Sequence, residues 1–139
     1  MSASHTIIGW RLLPVVLVAA AAGLWFNDVQ DGGEWVLRNL LPLLLLVILA
    51  ALALHRGAGH WTGAGKRYAL GVLGFAVPAL GLSVYLHYAY SVNLNGMFTD
   101  AVYPERVFRY LPYYTIIAGG IGFVIGWIVG RNVERQSTL

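Results

Sequence analysis

LPYYTIIAGGIGFVIGWIVG, residues Leu111–Gly130, runs for twenty residues without a charge. A helix of about 20 mainly apolar residues covers about 30 Å of hydrocarbon. In lipid such a helix satisfies every backbone polar group within its own segment. The run has none of the residue-by-residue alternation that a membrane β-strand needs. Three more stretches are as long and mainly apolar, with Arg11 and Arg38 within a turn or so of an end: Ile7–Phe26, Trp35–Leu54 and Tyr68–Tyr90. The expected fold is therefore all-α, a polytopic integral membrane protein with four transmembrane helices in a compact bundle. Residues 1–139 form one domain.

Composition agrees. The chain is 58% hydrophobic and 11% charged, where soluble domains average about 45–50% and about 25%. A soluble fold of this length cannot bury that much apolar surface. There is no cysteine, which excludes disulfides, thiolate metal sites and a cysteine nucleophile together. The net charge is +3, but the bases are scattered along the chain, so nucleic acid is not an expected partner.

Charge sorts the connections. Asn27–Glu34 holds Asp28, Asp31 and Glu34, whereas His55–Arg67 holds Arg56, Lys66 and Arg67. The loop Ser91–Tyr110 is mixed, and the tail carries Arg131, Glu134 and Arg135. Cytoplasmic loops are enriched in Lys and Arg, so the middle loop and both termini are expected in the cytoplasm. That topology puts Arg11, Arg56, Lys66, Arg67, Arg131 and Arg135 inside and five of the six acids outside. Eight of the nine bases are Arg, with abundant Ala, Gly and Leu. This usage suits a GC-rich bacterial genome, so a bacterial inner (cytoplasmic) membrane is the expected location. The segment Ala19–Gly23 also resembles a signal-peptide cleavage region. Trp10 and Ile7–Ile8 lengthen the apolar run before it, which favours a retained span.

Small residues let membrane helices approach closely. Gly122, Gly126 and Gly130 recur every four residues in the fourth span, with Gly119 and Gly120 just before them. Gly119, Gly122, Gly126 and Gly130 are the candidate packing edge, against a neighbouring helix or in an oligomer. Each span also has a proline: Pro14, Pro42, Pro78 and Pro112. Pro78 lies mid-span, where the missing N–H loosens a helix.

Chemistry is sparse. Ionisable groups deep in a membrane mark transport paths, and no Asp or Glu falls inside any span. Asn39, Ser83 and Thr115 are the few polar residues that could line a water path. Of the four histidines, His55 and His87 fall at opposite membrane faces, and none has ligand spacing, so neither haem nor metal is expected. Gly57–Arg67 looks like a phosphate loop, but the Walker spacing puts His60 where glycine is needed. Arg56, Lys66 and Arg67 are instead candidate contacts for anionic lipid headgroups. Outside, Arg38, His87, Asp100, Glu105, Arg106 and Arg109 form a candidate polar site rimmed by aromatics, together with the acids of the first outer loop. Pro104–Leu111 is predicted as a short interfacial helix laying Val107, Phe108 and Leu111 on lipid.

Three functions are compatible with this reading, in descending order. The first is a non-catalytic accessory or interaction subunit of a larger membrane assembly. The second is a homo-oligomeric channel or small transporter seamed by the fourth helix. The third is a membrane enzyme acting on lipid-linked substrates at the outer face. The expected partners are membrane lipids and either another membrane protein or a second copy. No residue is assigned a catalytic role and no cofactor is expected.

Overall fold

Five helices account for the four spans. The computed structural model describes residues 3–62 and 66–137, with the side chains of 3–4 and 134–137 excepted. Helix α1 is Ala3–Val29, α2 Val36–Asn39, α3 Leu41–Arg56, α4 Lys66–Val92 and α5 Val107–Ser137. Two single 3-10 turns, Leu94–Gly96 and Pro104–Arg106, lie in the last loop. Four stretches are long and apolar enough to cross a membrane: His5–Val29, Val36–Arg56, Lys66–Val92 and Pro104–Val133. Three of them outrun their hydropathy-based bounds at both ends, while the second starts one residue later, at Val36, and runs on to Arg56. Hydropathy marks only the hydrocarbon layer, whereas the hydrogen-bonded helix continues into the headgroups.

The second span begins as a separate turn. Pro42 lies in the first turn of α3, where its missing N–H costs little. Leu40 keeps helical angles between α2 and α3, so the chain holds its direction. Pro78 likewise sits inside an α4 that runs unbroken from Lys66 to Val92.

Helix α4 packs most extensively on α5, while α3 packs on both α1 and α4. The core joins Leu46, Ala50 and Ala53 of α3 to Val72, Phe75 and Ala79 of α4. The α4–α5 contact is built on glycine. A Cβ on Gly122 would collide with the Gly74 carbonyl, and one on Gly126 with the Leu70 carbonyl. At Gly130 it would lie 2.6 Å from the Arg67 Cα, and at Gly119 2.6 Å from the Phe75 ring. The candidate packing edge therefore faces α4 of the same chain. Gly120 and Gly81, off this edge, have nothing within 4 Å.

Helix α1 is held more lightly. No residue of its most apolar eighteen-residue window is buried. Leu12, Val15 and Ala19 are half-buried on one face, and burial becomes complete only at Gly23 and Phe26. Near the connection that follows α3, Arg11 fastens the helix. Its Nη1 donates to the Gly59 carbonyl at 2.8 Å and meets His60 Nδ1 at 2.8 Å. The phosphate-loop look-alike is described only in part, since Gly63–Gly65 lie outside the described residues.

Candidate functional site

The end of the bundle that carries the α1–α2 and α4–α5 connections has a buried layer and, next to it, an exposed one. In the buried layer His87 of α4 is fully enclosed. Its ring stacks on Phe26 of α1 at 3.8 Å between centroids and on Phe108 of α5 at 4.5 Å. Nδ1 lies 2.8 Å from the Ser83 carbonyl and Nε2 lies 2.9 Å from Gln30 Nε2. A carbonyl only accepts, so Nδ1 carries the proton and Nε2 accepts from the Gln30 amide. Both ring nitrogens are engaged, leaving no lone pair for a substrate or an ion. The expectation of His87 in an open outer site is thereby corrected. Aromatic packing from α1 and α5 draws the imidazole inward.

The helix expected at Pro104–Leu111 needs a similar correction. Only Pro104–Arg106 is a separate turn, and α5 starts at Val107. Phe108 and Leu111 are 1% and 0% exposed, so they face the core rather than lipid. The His87 stack draws Phe108 in, and Asn39 pins the backbone beside it. Asn39 Nδ2 donates to both the Trp35 and the Phe108 carbonyls, each at 2.9 Å.

The residues proposed to line a water path are buried in this half of the molecule. Asn39, Ser83 and Thr115 are 0–1% exposed. Thr115 Oγ1 donates to the Pro112 carbonyl at 3.0 Å, closing on its own helix. Three acceptors, Gln30 Oε1, Asn39 Oδ1 and Ser83 Oγ, are buried without a partner among the described residues.

The exposed layer does gather charge. A cavity of about 480 Å³ is lined by Glu34, Trp35, Tyr103, Glu105, Arg106 and Arg109. The Arg109 guanidinium lies 5.7 Å from the Trp35 ring centre and 5.5 Å from that of Tyr110. Arg38 covers Trp35 at 5.1 Å and Arg106 covers Tyr103 at 4.5 Å. Cation–π contacts of this kind hold a guanidinium by its face and leave its N–H edge free for anions. Of the residues named from the sequence, Glu105, Arg106 and Arg109 line one cavity. Arg38 shares its tryptophan, while Asp100 is exposed in the loop and His87 lies in the layer apart. Glu34 was foreseen only as one acid of the first outer loop. Gln30 and its contact with His87 were not foreseen, because only the fold brings residues 57 positions apart together.

At the opposite end of the bundle Arg56 covers Tyr68 at 5.5 Å and Arg67 covers Trp127 at 5.2 Å. Lys66 opens α4 beside them. Among the described residues no three of His, Asp and Glu gather closely enough to hold a metal ion. Comparisons with protein-family models, with curated proteins and with solved structures return no match.

Proposed function

We propose that the protein is a small, non-catalytic integral membrane subunit that serves a larger membrane assembly as an accessory or interaction partner. It would sit in a bacterial inner membrane with both termini in the cytoplasm. One observation carries the reading: α1 gives up little of its surface to its own bundle. Trp10, Leu13 and Leu17 project from it, at exposures from 42% to 71%. Helices in lipid associate through close packing rather than hydrophobicity. A helix that packs so thinly within its own chain retains most of its packing surface for another protein.

The other readings draw less support. A channel seamed by the glycine edge of α5 would need a surface that α4 already covers. An enzyme built on His87 would need a nitrogen that is already bonded.

The test is extraction of the protein from its host membrane in mild detergent, followed by native mass spectrometry. A photo-crosslinker at Leu17 reports on α1, and one at Ile121 on α5 serves as the control. The expected result is a defined heteromeric complex that crosslinks from Leu17. A lone monomer, or a complex of identical subunits only, refutes the proposal.

A further inference from the structure

The geometry points to a binding site for one phospholipid at the outer face, with its headgroup in the charged cavity and an acyl chain in an apolar groove. The preferred headgroup is a phosphate diester bearing a primary ammonium. This inference is independent of the subunit reading above.

Both halves of the site meet at α2. Trp35, just before α2, lines the headgroup cavity. Val36 and Leu37, in its first turn, line a separate groove of about 640 Å³ between α1 and α3. That groove runs from Val36 to Val47 on one wall and from Asn27 to Val16 on the other. Eleven residues of helix rise roughly 16 Å, close to half of the roughly 30 Å hydrocarbon layer. The groove is thus one leaflet deep. Its floor is opened by small side chains, Ala19, Ala20 and Gly23. An acyl chain is the apolar ligand of that length in a membrane.

The charged cavity selects the headgroup. Arg106 and Arg109 offer N–H edges suited to phosphate oxygens. Glu34 and Glu105 bring negative charge to the same space. Among the described residues these four groups make ring contacts or none, and no ion pair joins them. Two anions and two cations left unpaired in one cavity complement a ligand that carries both signs. The cationic end is specified by what covers the rings. Quaternary ammonium groups are bound on open aromatic faces. Here Arg38 and Arg109 contact Trp35, and Arg106 contacts Tyr103. The carboxylates remain to bind the cation, and they favour one with N–H donors.

The test uses the full-length protein in detergent, delipidated and offered phosphatidylethanolamine, phosphatidylcholine and phosphatidylglycerol with identical acyl chains. Retained lipid is read by native mass spectrometry. Phosphatidylethanolamine should be retained about fivefold over each of the others, the ratio expected for one exposed charge pair. The double variant Glu34→Gln/Glu105→Gln should abolish that preference, and Arg106→Gln/Arg109→Gln should lower retention of all three. Ala20→Phe, which fills the groove, should lower retention while keeping the preference. Equal retention of the three lipids by the unaltered protein overturns the inference without recourse to any variant. So does a preference that survives loss of both carboxylates. Displacement of bound lipid by an equal concentration of glycerophosphoethanolamine, which has the headgroup and no chains, would refute the membrane source.

Discussion

At Ala58 the backbone takes φ +52° where the chain leaves α3, next to Gly59 at +92°. An L-residue in this left-handed region costs roughly 1–2 kcal/mol, and glycine avoids the strain while giving back part of it in chain entropy. Ala58→Gly should therefore stabilise the protein by about 1 kcal/mol, read as a higher midpoint of thermal unfolding in detergent. His87 supports the opposite prediction. Its ring fills the space between Phe26 and Phe108 and holds the Gln30 amide. His87→Ala removes those contacts and leaves a buried amide without its partner. The expected loss is about 2–4 kcal/mol. A stable His87→Ala protein that has lost a function would instead make the imidazole a working group. From the sequence, His87 was one member of the expected polar outer site, beside Tyr85, Tyr88 and Tyr90. Its burial follows from two phenylalanines on other helices, 61 positions before it and 21 after, and no local pattern announces such a meeting.

Between elements, the α4–α5 contact is the tightest and the easiest to perturb selectively. Gly122 and Gly120 are near neighbours on α5, yet a Cβ on the first strikes the Gly74 carbonyl and one on the second meets nothing within 4 Å. Gly122→Leu should cost at least about 3 kcal/mol, since forced overpacking costs about 1–3 kcal/mol even against flexible side chains. Gly120→Leu should change stability little. Thermal unfolding and detergent-stable size, measured on both, make the comparison. Equal tolerance would mean that the two helices do not meet along this edge. The four-residue glycine spacing was legible in the sequence because it depends only on helical periodicity. What it faces was not, because Gly71 and Gly74 of α4 and a second copy of α5 offer equally small surfaces. The short amphipathic helix expected at Pro104–Leu111 failed for a related reason. Phe108 and Leu111 are as suited to an aromatic core as to lipid, and Asn39 decides between them from 69 positions away.

For the whole molecule, the four apolar segments were readable from the sequence alone, because some twenty mainly apolar residues have few other places to go. The site was readable in part: the charges of the last loop converge, but the tryptophan that gathers them belongs to the second span. Membrane orientation can be measured directly, since the chain has no cysteine of its own. With a membrane-impermeant maleimide on intact cells, Asp31→Cys should label, while Thr62→Cys and Arg131→Cys should label only after the membrane is opened. The reverse pattern would invert the topology and place the charged cavity in the cytoplasm. The uneven packing also has a consequence for biogenesis. Synthesis runs from α1 to α5, so the helix with the weakest hold on the bundle enters the bilayer before the other three spans. The pair with the closest contact, α4 and α5, forms last. Between those events α1 must remain in the bilayer without the surface that will receive it. It is equipped for that interval, with a mean hydropathy of 2.0 over its most apolar window and few side chains that need a partner. Arg11 gains its contacts with Gly59 and His60 only when the second span has followed it in, so an early fastening of the fold is made on the side of the α3–α4 connection.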